Sequence, residues 1–298
     1  MGVANISVNL IADMNQSQTA LNTAVEELAT GQSVSEPSQN PTASAEMVEN
    51  TLETGNVDQY TQNVNSVLST VETAGSVLSN VVTQLTQAVS AGTEGAGGTE
   101  TASQMQALAS QVESILSTVV SSANTSVSGS YLFSGTGTTA PYTADTSSAS
   151  GYSYTGNQDS ISVAVGDNLG IQVNLPGSQI FSASGNDVLG SLSSLVAALK
   201  SGNTTQIEAA TNSVDSAIDY VGQQQTFYSN VEDQLNAQES FLQQETTTLS
   251  AQATNLVGIN ESTAAVNLAE AETENASAEA AAAKVLPNTL LNYLEPPT

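Results

Sequence analysis

A chain of 298 residues that sets two basic side chains, Lys200 and Lys284, against 29 carboxylates has a formal net charge of −27, and it contains no Cys, His or Trp. Disulfides, zinc fingers, imidazole switches and Cys- or His-based nucleophile pairs are thereby excluded, and so few cations cannot neutralise a nucleic-acid backbone or hold an anionic membrane surface. Aromatic residues make up only 4%, so the apolar residues are expected to form narrow Ala/Val/Leu seams rather than one thick core.

Charged residues are just 10% of the chain. The imbalance therefore reflects missing Lys and Arg, with Ser, Thr, Asn and Gln filling the surface, and not a flood of Asp and Glu. Asn5, Asn9 and Asp13 interrupt the apolar residues near the start, and no basic stretch precedes them. No cleaved signal and no membrane-spanning run is expected. Met1-Gly2 lacks the Ser or Thr of a myristoylation site, because Ile6 stands in that position.

In chain order, the first element is a helix with Val3, Ser7, Leu10, Met14, Ser17, Leu21, Ala24 and Leu28 at alternating steps of four and three. The segment GQSVSEPSQNP at 31–41 is a loop, with Asn40-Pro41 suited to N-cap and first position of the next helix. Val57, Tyr60, Val64, Val67, Val71, Ala74, Leu78, Val81, Leu85 and Ala88 form a second seam. The glycines of 91–99 predict a turn, which makes the next run (Met105, Leu108, Val112, Ile115, Val119) the return arm of a hairpin. From Ser128 to about Phe181 the period changes to two: Tyr152/Tyr154, Ile161/Val163/Val165 and Ile171/Val173/Leu175 predict a small antiparallel β insert. Helix returns near residue 187 with Val188, Leu192, Leu195 and Leu199. The longest run repeats every seven residues through Ile207, Val214, Val221, Tyr228, Leu235, Leu242, Leu249 and Leu256. Ala210, Ala217, Val231, Ile259 and Val266 fill its alternate register. Such repeats need partner helices, and the two helical chain ends are candidates to pair with each other. Pro287 is expected to close the last helix, ahead of the apolar Leu290, Leu291, Tyr293 and Leu294. The fold class expected is mainly α with a small β insert, an elongated antiparallel helical bundle or coiled coil built from both chain termini.

No catalytic, cofactor-binding or metal-binding residues are assigned. The glycine clusters GTEGAGG and SGTGTT lack the Lys and the βαβ setting of a phosphate loop. Glu46, Glu49 and Glu53 share one helix face and Glu270 and Glu274 are four apart. Both groups read as solvated faces, since the heptads take the inward positions. Gln224, Gln238, Glu245 and Gln252 fall on the long seam, where polar residues either lie partly exposed or set register between subunits.

Residues 28–45, LATGQSVSEPSQNPTASA, resemble the stretch that follows the first terminal helix of bacterial flagellins. SGSYLFSGT at 128–136 and NLPGSQIF at 174–181 resemble the segments that lead into and out of the β domain in the hook–filament junction branch of that superfamily, and the ending LLNYL at 290–294 also fits. The matching motif residues are Gly31, Pro41, Tyr131, Phe133, Gly135, Pro176, Gly177 and Phe181. Where the family usually carries charge around the first motif, this chain has Gln32, Ser33, Gln39 and Asn40, and Gly2 replaces the usual basic residue after Met1.

The resemblance implies a flagellin-like fold with a terminal helical domain (1–30 plus 260–298), a rod-like bundle (31–130 plus 190–259) and an outer β-rich domain (131–189). It implies a structural, non-enzymatic flagellar protein at the junction between hook and filament, contacting hook-associated protein 1 and flagellin and forming a ring of its own copies. It also implies export by the flagellar type III system with a chaperone, and an extracellular location. The assembly contacts it suggests are Leu10, Met14, Leu21, Leu28, Leu249, Leu256, Ile259, Val266, Leu290, Leu291, Tyr293 and Leu294. A flagellin filament subunit is the nearest alternative. A coiled-coil surface adhesin, which would not need the segments around Pro41 and Pro176, and a carboxylate hydrolase, which would need an aromatic cleft, are more distant.

Overall fold

The computed structural model describes the backbone of residues 2–33, 37–38 and 40–294, and the side chains of residues 8–33, 37–38 and 40–284. The elements are α1 (Gly2–Thr30), α2 (Pro41–Ala96), α3 (Ala102–Ala123), β1 (Ser126–Val127), β2 (Ser130–Tyr131), β3 (Tyr142–Ala144), β4 (Tyr152–Tyr154), β5 (Ser162–Gly166), β6 (Leu169–Gln172), α4 (Gly177–Ile180), α5 (Val188–Ser201), α6 (Thr204–Val257) and α7 (Glu261–Leu294). No described helix is long and apolar enough to cross a membrane. The chain divides into two compact units, residues 57–243 and residues 1–56 with 244–298.

In the unit of residues 57–243 the heptads are buried as spaced. Val64, Leu78, Val81, Leu85 and Ala88 of α2 are fully buried, as are Val112 and Val119 of α3 and Ile207, Val214, Val221 and Leu235 of α6. Tyr60 and Val67 are half-buried. Thr101 and Gln104 form a reciprocal capping box at the start of α3, and the Asp187 carboxylate accepts from the Gly190 N–H to start α5. α3 packs on α5, whose Val188, Leu192, Leu195 and Leu199 are fully buried.

One expectation is corrected here. The glycines at 91–99 do not all form a turn, because α2 continues to Ala96. Gly92 and Gly95 are close-packing positions: a Cβ on Gly92 would collide with the Thr211 hydroxyl of α6, and one on Gly95 would lie 2.5 Å from a Leu199 methyl of α5. The chain turns only after them, with Gly98 at φ +69°. The expected antiparallel β insert consists of three separate pairs, β1–β2, β3–β4 and β5–β6. Ser128 and Gly129, both at positive φ, make the tight β1–β2 turn. β5–β6 carries an irregularity between Ala164 and Gly166. Ile161 falls outside this pairing and is 38% exposed, whereas Val165, Ile171, Val173 and Leu175 are buried.

In the other unit α1 packs on α7. α6 stops at Val257 and α7 starts at Glu261, so the long run is not one helix. The interruption is held by the end of α1: the Ile259 N–H donates to the Gly31 carbonyl at 3.2 Å, and the Ser33 N–H donates to the Val257 carbonyl at 2.6 Å. Gly31, at φ +70°, supplies the left-handed turn that aims its carbonyl there. The Asn260 side chain then caps α7 by accepting from the Thr263 N–H at 3.2 Å. These non-helical residues reset the helical phase, so α7 buries Ala264, Ala271 and Ala282 and leaves Val266 57% exposed. α7 also runs through Pro287 to Leu294 and does not end at the proline as expected.

The glycine contrast is directly testable. Gly92→Ala should destabilise the protein by roughly 1–3 kcal/mol through overpacking. Gly75→Ala, where nothing lies within 4 Å of the added Cβ, should stabilise it by about 1 kcal/mol through helix propensity. Urea melts of the two variants should therefore shift in opposite directions.

Candidate functional site

Two constellations collect the sequence-predicted residues, one in each unit. The first is the base of the β insert. Phe133 and Phe181 are fully buried and meet edge to face with ring centroids 5.3 Å apart. Phe133 also meets Tyr228 of α6 at 6.4 Å, and Phe181 meets Tyr142 of β3 at 6.0 Å, again as perpendicular pairs. Such pairs are favourable beyond their buried area, because the positive ring edge faces the negative ring face.

Each phenol in this cluster is tied to backbone of the connecting loops. The Tyr228 hydroxyl accepts from the Leu175 N–H at 3.2 Å. The Tyr142 hydroxyl donates to the Gly177 carbonyl at 2.9 Å and lies 2.8 Å from the Ser182 hydroxyl. The Tyr154 hydroxyl reaches the carbonyls of Phe133 at 3.0 Å and Asn157 at 2.7 Å. Asn124, at the end of α3, pairs with both backbone groups of Tyr142 at 2.8 and 2.9 Å. The two loops on either side of the insert also bond directly, the Gly177 N–H donating to the Phe133 carbonyl at 2.7 Å.

The glycines of the two motifs are required by this packing. Gly135 sits at φ +71° against Asn157, whose side chain also accepts from the Thr136 N–H at 2.9 Å. A Cβ on Gly177 would lie 3.0 Å from the Phe133 carbonyl and 3.1 Å from the Tyr142 ring. Pro176 precedes α4 as its N-cap residue. Tyr131 is half-buried in β2, and Pro41 is the exposed first residue of α2.

Sequence reasoning placed Tyr228 on a helix seam but not in this cluster, and it missed Tyr142, Asn124 and Asn157. Nothing in their spacing marks them, since their partners are backbone groups distant in sequence. Gln238 falls on the long seam by its spacing, and its side chain donates to the Val165 carbonyl of β5 at 2.9 Å. Tyr60 and Asn63 of α2 hold the same hairpin, through Asp167 and the Ala164 carbonyl, each at 2.9 Å. The polar seam residue thus anchors an intrachain hairpin.

The second constellation is the terminal helix pair. Leu10, Met14 and Leu21 are half-buried, Ala24 is buried, and Leu28 is 39% exposed. Leu249 is buried, while Leu256 and Ile259 are half-buried. The side chains of Leu290, Leu291, Tyr293 and Leu294 lie outside the described residues. In the same unit, Asn50 of α2 is buried and donates to the Leu249 carbonyl of α6 at 3.0 Å, with Gln252 at 3.4 Å. A buried asparagine of this kind fixes helix register, and its position was not recognised from sequence. Among the described residues no group of three or more carboxylates is placed to hold a metal ion.

Paired helical chain ends, long seamed helices and an insert carried on an aromatic base make up a flagellin-like helical fold. Residues 4–138 match the profile of the bacterial flagellin N-terminal helical region. A Vibrio parahaemolyticus chain described as a flagellar hook-associated protein is similar at 21% identity, covering 74% of this chain and 100% of its own, with a TM-score of 0.67. Bacillus cereus FlgL is 18% identical over 69% of this chain and 99% of its own, with a TM-score of 0.60. Flagellar hook associated protein-3 of Legionella pneumophila is 14% identical over 70% of this chain and 98% of its own, with a TM-score of 0.63. A comparison with curated protein sequences finds no match.

Burial pushes the Tyr228 and Tyr142 hydroxyls well above their usual range. Both phenols are neutral in folded and unfolded chains below pH about 10. Above it the unfolded chain ionises first, so their contribution to stability is present below about pH 10 and is lost as pH rises further. An alkaline titration of tyrosinate absorbance should show a late step coinciding with loss of structure. Tyr228→Phe should lower stability by about 1 kcal/mol, because the Leu175 N–H loses its buried partner.

Proposed function

We propose that this chain is a structural subunit of the bacterial flagellum that joins the hook to the filament. The observation that carries the reading is a fold shared with hook-associated protein structures over nearly their whole lengths, combined with a flagellin N-terminal helical region at residues 4–138. A structural role needs no reacting groups, only surfaces that repeat from copy to copy.

In this reading the partners are hook-associated protein 1 on one side, flagellin on the other and further copies of the chain in a ring. A chaperone and the flagellar type III channel deliver the chain, which unfolds for passage; a Cys-free chain carries no disulfides to obstruct it. The terminal helices supply the packing between subunits. Their intrachain seam is thin, since the fully inward residues of α7 are alanines, and apolar burial stabilises at about 25 cal/mol per Å². Val8, Ile11, Val25 and Val266 remain about half-exposed or more, so apolar surface is left for a neighbour.

The profile match to flagellin itself favours a second reading, a filament subunit. Immunogold electron microscopy of intact flagella separates the two. We expect label at one point, between hook and filament; label along the whole filament would assign the chain as flagellin.

A further inference from the structure

The strand pairs of the insert do not leave all their edges in the same state. On β3, both backbone groups of Tyr142 are taken by the Asn124 amide, at 2.8 and 2.9 Å. On β5, the Ala164 and Val165 carbonyls accept from Asn63 and Gln238, each at 2.9 Å. Exposed strand edges pair readily with other chains, and lysine is a common guard against it. Neither lysine of this chain lies on a strand, and amides guard β3 and β5 instead.

The outer edge of β6 has no such guard. Ser162 pairs with Gln172, Val163 with Ile171 and Ala164 with Gly170, and the Val173 N–H donates inward to the Ile161 carbonyl at 3.0 Å. The bonding direction alternates along an antiparallel strand, so the N–H and C=O groups of Gly170 and Gln172 point away from β5. Among the described residues nothing bonds to these outward groups. Both residues are exposed. Gly170 has no side chain to cover the edge, and the Gln172 side chain lies along its own strand, donating to the Asn174 carbonyl at 3.0 Å. Leu169, at one end of the strand, is 47% exposed.

We propose that β6 is a self-pairing edge, through which two copies of this chain join antiparallel about a two-fold axis at Ile171. The outward groups belong to Gly170 and Gln172, one residue to either side of Ile171. An axis there sets Gly170 of each copy opposite Gln172 of the other. Each such pair exchanges both of its backbone hydrogen bonds, and the two hairpins become one four-stranded sheet. Charge favours a second copy as the occupant. Residues 168–175, NLGIQVNL, hold no charged side chain, so in a chain of net charge −27 this edge meets its own copy without opposing carboxylates. The nearest carboxylate in sequence, Asp167, is four positions from the axis. The two copies of it are then about 27 Å apart at about 3.4 Å per residue, beyond the Debye length of about 10 Å at 0.1 M salt. A two-fold contact closes on itself and does not propagate round a ring. It is therefore additional to the subunit packing proposed above and does not rest on it.

Sedimentation and residue-resolved amide hydrogen exchange on the full chain, across a concentration series at about 0.15 M salt, test the pairing. Sedimentation should move from monomer towards dimer as concentration rises. Over the same range exchange at the Gly170 and Gln172 amides should slow by roughly tenfold or more, and dilution should restore it. Gln172→Pro removes an outward donor from each copy and no bond within the hairpin, and proline is tolerated on a strand edge. That variant should stay monomeric with an unchanged thermal melt. A parent that stays monomeric, a dimer whose Gly170 and Gln172 amides exchange as fast as in dilute solution, or a folded Gln172→Pro that dimerises like the parent would each overturn the proposal. The exchange measurement on the parent decides the question even where the variant unfolds. None of these results depends on whether the chain sits at the junction or along the filament, which immunogold decides separately.

Discussion

The scarcity of cations governs how this chain holds together. Two lysines cannot pair 29 carboxylates, so ion pairs are a minor resource; Lys200 with Glu113, linking α5 to α3, is one. Cohesion comes instead from apolar seams and from hydrogen bonds between neutral groups. Asn50, Asn124 and Gln238 each tie one element to the backbone of another, and Asn157 ties two loops together. Along the helices, Thr and Ser hydroxyls such as those of Thr61, Thr83, Ser114 and Thr248 fold back onto the carbonyl four residues earlier. That habit gives little stability to a helix. It does let a polar surface satisfy itself without charge, and these bonds are indifferent to pH.

The same scarcity raises the value of the aromatic base under the insert. The insert's strand pairs are short, and two-stranded ribbons have little stability alone. They are fixed by sharing Phe133, Phe181 and Tyr142 with Tyr228 of α6, and by having each phenol hydroxyl close a loop backbone group. The separate hairpin β5–β6 is held differently, by Tyr60, Asn63 and Gln238 from two helices. A chain with only 4% aromatics thus concentrates several of them at the place where a β segment meets helices.

How much could be read beforehand depended on the range of the interaction. Seven-residue spacing is local, so the burial of Val64, Val71, Leu78, Val112, Val214, Val221 and Leu235 is legible in the sequence. Val266 was misplaced because the register argument assumes an unbroken helix. The interruption at 258–260 is caused by hydrogen bonds to Gly31 and Ser33, more than 200 positions away in the chain. Gly92 and Gly95 are ambiguous in the sequence for the same kind of reason. A glycine permits a turn or a close approach, and only the Thr211 and Leu199 side chains opposite say which. The motif segments at 128–136 and 174–181 drew attention to Phe133, Gly135, Gly177 and Phe181, but the tyrosine hydroxyls and asparagine amides that complete the base report to backbone atoms and leave no pattern in the sequence.

The two units use the same heptad device to different depth, and that difference bears on assembly. In residues 57–243 the seam residues are mostly Val, Leu and Ile, and most of them are buried. In the other unit α7 turns alanines inward, while Val8, Ile11, Val25, Val48, Leu52 and Val266 point their larger side chains to solvent at 48% exposure or more. A monomeric protein selected to stand alone would place those residues the other way round, since each large aliphatic side chain gains roughly 1.5–3 kcal/mol on full burial. Leaving the larger residues outside and the smaller ones inside makes a helix pair that is only moderately stable by itself and adhesive to further helices. Under the proposed function, that is the division of labour that suits a subunit whose body folds as a single copy and whose ends are completed by others.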